Sequence, residues 1–265
     1  MLPQDFLKTL YKKHISTEVY PATSSVSRII TKVLLLLFPE QTKKHYHSEA
    51  ELDEAFVKLQ SELASILLTM QAHLPDKAEN IAKKFIQQLP EVHRLLTTDV
   101  QAILDGDPAA KSEYEVVRAY PGFYAIAFYR LAHILCQLNV PLLPRLITEF
   151  AHSKTGIDIH PSAQIGEYFY IDHGTGTVIG ETAILGKNVK LYQGITLGAL
   201  SVSKDMASLK RHPTIEDNVV IYSGATILGG ETIIGHDSIV GGNVWLTKSI
   251  PPFTKIYHQE QVKIS

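Results

Sequence analysis

Two short pairs, Asp172-His173 and Arg211-His212, carry the side chains in this sequence best suited to chemistry. A carboxylate against an imidazole fixes its tautomer and stabilises the imidazolium, which suits a general base acting on an alcohol. A second carboxylate, Asp158, lies fourteen residues before Asp172 in Asp158-Ile159-His160-Pro161. If the chain winds with about eighteen residues per turn, Asp158 and His173 fall on adjacent rungs and can touch. The competing reading makes His173 a surface corner residue and Asp158 a turn former. Arg211-His212, isolated before Pro213, reads first as a solvated basic pair. Asp105-Gly106-Asp107-Pro108 reads first as a turn that ends a helix.

The elements that position these residues follow from a period of six. Ile159, Ile165 and Ile171 begin it, Ile179, Leu185, Leu191 and Leu197 continue it, and Ile215, Ile221 and Ile227 resume it. Ile234, Val240 and Leu246 end it. Neither a helix face nor an alternating strand has this period; a parallel β-helix of three short sides does. One rung cannot bury its apolar residues alone, so rungs stack into a column of Ile, Leu and Val.

The breaks in the period mark where chemistry can sit, because insertions in a solenoid become loops. Ile171 to Ile179 takes eight residues, the extra ones falling in His173-Gly174-Thr175-Gly176. Gly198 to Arg211 is too polar to stack and is expected to leave the coil and return at Arg211-His212-Pro213. One residue is inserted near Gly229-Gly230. Gly174, Gly176 and Gly180 imitate a dinucleotide fingerprint but interrupt hexads rather than open a helix. The remaining histidines show no ligand spacing, so a zinc site shared by His173, His212 and His236 is disfavoured and no metal is expected.

The first 150 residues follow another rule. Leu52, Phe56, Leu59, Leu63, Ile66, Leu67 and Met70 recur at helical steps, and Phe123, Ile126, Ala127, Arg130, Leu131 and Ile134 repeat the pattern. Pro39, Pro75, Pro90, Pro108, Pro121, Pro141 and Pro144 are expected to divide the region into helices of ordinary length. The resulting domains are a helical one over 1–152, a β-helix over 153–250 with an excluded loop over 198–212, and a short tail over 251–265. The helical half is expected to serve assembly. Lys plus Arg (25) nearly balances Asp plus Glu (27), which points away from nucleic acid. The greasiest run, Ile29 to Phe38, contains Lys32 and is too short to span a bilayer, so no membrane is expected. A lone Cys136 and no apolar leader suggest the cytoplasm.

Asp105-Gly106-Asp107-Pro108-Ala109, Tyr129-Arg130, Asp158-Ile159-His160-Pro161 and Ile171-Asp172-His173-Gly174-Thr175-Gly176 stand in that order. Ile179-Gly180-Glu181-Thr182-Ala183, Gly194-Ile195-Thr196-Leu197-Gly198 and Arg211-His212-Pro213 follow. Together they resemble serine O-acetyltransferase, an α+β family with a helical N-terminal domain and a left-handed β-helix of hexapeptide repeats. Its members make O-acetyl-L-serine from L-serine and acetyl-CoA, the first step of cysteine biosynthesis. The resemblance runs from about Val100 to Pro252, and the first 95 or so residues match only in being helical.

The resemblance implies a role for each matching position. His173 would be the general base, supported by Asp158; Asp107 and Asp172 would hold the serine ammonium, and Arg211 its carboxylate. His212 would contact the substrate from across the site, and CoA would lie beside Gly198, Ala199, Ser223 and Gly224. A zwitterion needs carboxylates at one end and a guanidinium at the other. Acetyl transfer would be direct, with no acyl-enzyme and no metal. The family's sites lie between neighbouring β-helices of a homotrimer, the helical domains pair trimers, and L-cysteine is a feedback inhibitor. Relatives that bind cysteine synthase use a longer tail with a terminal isoleucine; here Ile264-Ser265 closes the sequence, so no stable complex is expected. The loop Ala199 to Lys210 is longer and poorer in glycine than usual, and Ile256-Tyr257-His258-Gln259 replaces the usual Gly-x-Pro-Ala. Another hydroxyl acceptor, such as homoserine or a sugar, and an inactive β-helix scaffold are the alternatives. The charged residues argue against a neutral sugar, and a His173-Asp158 pair against a dead site.

Overall fold

A computed structural model describes residues 1–201 and 209–258. The tail residues Ile264 and Ser265, like the middle of the excluded loop, lie outside them. Seven α-helices come first: α1 (Gln4–Ser16), α2 (Thr23–Leu37), α3 (Glu49–Leu68), α4 (Ala78–Gly106), α5 (Glu113–Ala119), α6 (Pro121–Gln137) and α7 (Leu143–Thr155). Ser48 and Ser112 start α3 and α5 by accepting the backbone N–H groups of Glu51 and Glu115. Their partners reciprocate: Glu51 and Glu115 accept from the backbone of His47 and Lys111. The run Ile29 to Phe38 falls largely in α2, which buries Val26, Ile29, Ile30, Val33 and Leu34.

Pro90 does not divide the chain as expected. It sits inside the 29-residue α4, whose buried stripe Ile81, Phe85, Leu89, Val92, Leu96, Val100 and Ile103 runs straight past it. A proline inside a helix costs about 3 kcal/mol, and burying seven large side chains on one face outweighs that. No helix among the described residues is long and apolar enough to cross a membrane.

Among the described residues fourteen short strands follow: β1 (Asp158–Ile159), β2 (Gln164–Ile165), β3 (Tyr170–Ile171), β4 (Val178–Ile179), β5 (Ile184–Leu185), β6 (Lys190–Leu191) and β7 (Thr196–Gly198). After the excluded loop come β8 (Thr214–Ile215), β9 (Val220–Ile221), β10 (Thr226–Leu228), β11 (Ile233–Ile234), β12 (Ile239–Val240), β13 (Trp245–Leu246) and β14 (Lys255–Ile256). They build three parallel sheets, β1-β4-β7-β10-β13, β2-β5-β8-β11 and β3-β6-β9-β12-β14. The register records every break in the hexads. Ile179 pairs with Leu197 eighteen residues on, the plain turn of the coil. Ile159 pairs with Ile179 at twenty, Leu185 with Ile215 at thirty, and Ile215 with Ile234 at nineteen. The beats between Ile171 and Val240 are buried, while Ile165 and Leu246 are half-buried.

The coil extends past residue 250. β14 pairs with β12, so part of the segment expected to be a tail adds a last strand. The helices are pinned to the first rungs by Tyr129 and Arg130. The Tyr129 phenol donates to the Ala163 carbonyl at 2.5 Å. Arg130 makes a two-point ion pair with buried Asp99 (2.6 and 2.8 Å) and donates to the Gly166 carbonyl at 2.7 Å. Asp99 also accepts the Phe169 N–H at 2.9 Å. This docking sets α4 and the Gly106-Asp107 turn beside β3.

Candidate functional site

An acidic half-site forms where the C-terminal end of α4 meets the corner between β3 and β4. His173 takes a left-handed backbone (φ 55°) at the two-residue insertion, which swings its imidazole out of the coil. Its Nδ1 lies 3.8 Å from the Asp172 carboxylate, and the His173 side chain is 71% exposed. Asp107 caps α4 and faces the same corner. Its Oδ2 accepts from the Tyr120 phenol at 2.7 Å and its Oδ1 from the Ala109 N–H at 2.8 Å. The Tyr120 bond, the Ala109 bond and the charges of Lys190 and His173 hold the Asp107 carboxyl below its ordinary range. Burial and Asp107 push the Tyr120 phenol up to about 12, so it remains a donor.

A basic half-site forms at the next corner, between β4 and β5, where the excluded loop returns. Thr182 organises it: Oγ1 accepts the backbone N–H groups of Arg211 (2.9 Å) and His212 (3.1 Å). The Thr182 N–H donates to His212 Nδ1 at 3.1 Å, so that nitrogen carries no proton and Nε2 carries it. Burial first, then the Arg211 charge, lowers His212 to about 4. His212 is thus a neutral imidazole that offers an Nε2–H. Gly180 makes room for it; a Cβ there would fall 1.9 Å from the His212 ring. The Arg211 guanidinium is paired with Glu181.

The expected site residues therefore fall into two groups. Asp107, Asp172 and His173 come together, and Arg211 and His212 come together, on the two corners that flank the β1-β4-β7-β10-β13 sheet. No ion pair or hydrogen bond links one group to the other within the chain among the described residues. The expected His173-Asp158 pair is also not made. His173 has Asp172 as its carboxylate within 4.0 Å, and the Asp158 carboxylate lies near Glu149 and His152 instead. His173 adopts its left-handed backbone at the corner after β3, fifteen residues past Asp158, and Asp158 packs by the end of α7. The clustered Asp107, Asp172 and His173, rather than a His173-Asp158 pair, weigh against an inactive scaffold.

The expected CoA residues divide the same way. Ser223-Gly224 occupies the His173 corner two rungs further along, roughly 10 Å away at the usual strand spacing. Gly198 ends β7 and Ala199 opens the excluded loop at the other corner. Glu149, His152 and Asp158 could between them offer three ligand atoms to a metal ion, within 4.8 Å of one another. However, Arg145 already binds Glu149 at 2.6 Å, and His152 lies 3.3 Å from the same carboxylate.

Sequence reasoning missed Tyr120, Tyr170 and Lys190. Tyr120 precedes a helix-opening proline, and nothing in its spacing marks it. Tyr170 and Lys190 are the outward members of strand pairs, which in a free coil would face water. Glu181 and Thr182 belong to the motif Ile179-Gly180-Glu181-Thr182-Ala183, but their hold on Arg211 and His212 depends on the chain returning to the coil.

A family model described as "Serine acetyltransferase, N-terminal" matches residues 40–127. Family character therefore begins near residue 40, well before Val100, where it was read to start. The chain is 51% identical over 185 residues to "Serine acetyltransferase, plasmid" of Synechococcus elongatus, a stretch that spans 68% of this chain and 58% of that protein. Serine acetyltransferase 1 of Entamoeba histolytica, solved in complex with L-cysteine, superposes with a TM-score of 0.78 at 33% identity, covering 94% of this chain and 95% of that one. Serine acetyltransferase of Brucella abortus, solved in complex with coenzyme A, gives 0.63 at 27% identity, over 89% and 80%. Matched by the family model over residues 40–127 and by the Entamoeba relative at 33% identity over 94% of its length, the chain belongs to the serine acetyltransferase family.

Proposed function

We infer that this chain is a serine O-acetyltransferase, moving acetyl from acetyl-CoA to the hydroxyl of L-serine in cysteine biosynthesis. Two half-sites carry the reading: the Asp107 and Asp172 carboxylates at one corner, and at the next the Arg211 guanidinium, which is held by Glu181. They suit the ammonium and the carboxylate of one amino acid. His173 removes the hydroxyl proton as the oxygen attacks the thioester carbonyl, and the imidazolium then protonates the leaving thiolate. Asp172, the carboxylate nearest His173, steadies the imidazolium; a role for Asp158 needs a turn of either side chain. The neutral His212 offers its Nε2–H across the site.

Because the half-sites flank one sheet, a complete site forms between copies, one lending its His173 corner and the next its Arg211 corner. Such a head-to-tail contact closes into a ring, and a homotrimer of left-handed coils satisfies it. CoA lies in the groove between copies, along Ser223-Gly224 of one and Gly198-Ala199 of the next. The helical half, which runs on to the end of α7 at Thr155 rather than stopping at 152, would serve assembly and supply Asp107, and the coil follows it. A dimer of trimers is supported by α1, which buries no residue and exposes Phe6, Leu7, Tyr11 and Ile15. L-cysteine shares the charged groups of serine and would occupy the same clamp, as the complex of the Entamoeba relative suggests for that protein. A single cysteine suits the cytoplasm.

Release of CoA measured with serine, homoserine and a galactoside tests the activity; serine should be preferred, and a sugar preference would overturn it. Co-refolding His173→Ala with Arg211→Ala tests the shared site. Sites between copies should restore about a quarter of wild-type activity by random assembly, whereas sites within one chain restore none.

A further inference from the structure

Behind the two carboxylates of the acidic half-site stand two phenols. Tyr120 Oη donates to Asp107 Oδ2 at 2.7 Å. Tyr170 is 2% exposed, and its buried phenol oxygen makes no hydrogen bond of good geometry, although the Asp172 carboxylate is near enough to act on it as an acceptor. A buried tyrosine normally finds a backbone acceptor, as Tyr129 does on the Ala163 carbonyl. Burial first, then the charges of Asp172 and Asp107 and the Asp172 acceptor, raises the Tyr170 pKa. Lys190 closes the arrangement: Nζ donates to the Gly106 carbonyl at 2.7 Å and lies 4.6 Å from the centre of the Tyr170 ring. Gly106 is pressed on that ring so closely that a Cβ would meet it at 2.8 Å.

We propose that Tyr120 and Tyr170 are positioning residues for the ammonium subsite, each presenting a phenolic O–H from behind to one carboxylate, Tyr120 to Asp107 and Tyr170 to Asp172. The proposal rests on the serine-acetylating reading above. An ammonium has three donors and needs acceptors held in fixed directions. A carboxylate already bonded along one edge has its other lone pairs left for the substrate and stays ionised. The unpaired Tyr170 phenol, a costly group to bury, finds its acceptor when Asp172 turns to the bound ammonium. Lys190 holds the Gly106-Asp107 turn and the Tyr170 ring together, so the two supports move as one.

Tyr120→Phe and Tyr170→Phe test this through the serine KM, the acetyl-CoA KM, the acid limb of kcat/KM for serine and the thermal midpoint. Asp107 is faced by Tyr120 with Glu115 beyond it, by Lys190, by His173 and by Asp172 with Tyr170. Removing the Tyr120 donor leaves the others in place and raises the Asp107 pKa. The expected result is a serine KM raised about ten-fold, in line with loss of a bond to a charged group, and an acid limb moved to higher pH. The acetyl-CoA KM should not change, and Tyr170→Phe should lower the midpoint less than Tyr120→Phe, because the Tyr170 phenol makes no well-formed bond in the folded chain. Variants that melt earlier but keep the serine KM and the acid limb would make the phenols merely structural and overturn the proposal alone. A wild-type protein that acetylates no serine would take down both readings.

Discussion

His173 holds its Nδ1 3.8 Å from the Asp172 carboxylate, on a backbone with φ of 55° that a non-glycine residue rarely adopts. The neighbouring carboxylate in sequence, rather than the one fifteen residues earlier, is thus the partner in the chain as folded. The side chain stands clear of the stacked core, so its chemistry and the coil's stability are separable.

His173→Ala should lower turnover by roughly two to four orders of magnitude, the usual worth of a general base, with the assembly and thermal midpoint close to wild type. His173→Gly should lose as much activity yet melt slightly higher than His173→Ala, because glycine meets the positive φ without strain. Initial rates and calorimetry on the two variants decide it; near-normal turnover in either would remove His173 from the reaction.

Asp107→Asn and Asp172→Asn should each weaken serine use by about 2–5 kcal/mol in kcat/KM while leaving acetyl-CoA binding near its wild-type value. Titrating each substrate at saturation of the other separates the two effects. An equal loss for both substrates would show a general collapse of the corner.

Acid should destabilise the fold through His212. Its folded value of about 4 lies below the ordinary 6.5, because burial and Arg211 disfavour the charged ring. Between those values the unfolded chain binds the proton and the folded chain does not, so stability falls as pH drops from 6.5 to 4 and then levels. His160, also lowered mainly by burial, adds to the same slope. Urea midpoints measured across this window should fall, and His212→Asn should flatten the slope.

Asp99→Asn should destabilise by about 3–5 kcal/mol, since it leaves the buried Arg130 guanidinium without its counter-charge. The helical half would loosen from the first rungs, carrying Asp107 away from the corner. Urea unfolding combined with the serine KM would register both effects together.

Much of the coil was legible in the residues alone. A side chain repeated every six positions has one inward direction, so Ile159 to Leu246 announced the column, and its interruptions announced the corner at His173 and the loop before Arg211. Asp172, His173, Arg211 and His212 could be singled out because they stand at those interruptions. What tertiary structure alone decided is which of them meet. That Pro90 lies within one long helix, that Tyr120 and Lys190 brace the Asp107 turn, and that His173 faces Asp172 while Asp158 faces Glu149 all depend on contacts between distant parts of the chain or on corner geometry. A period reports only the direction a side chain takes from its own rung. The docking of α4 and α6 through Asp99, Tyr129 and Arg130 determines what waits there.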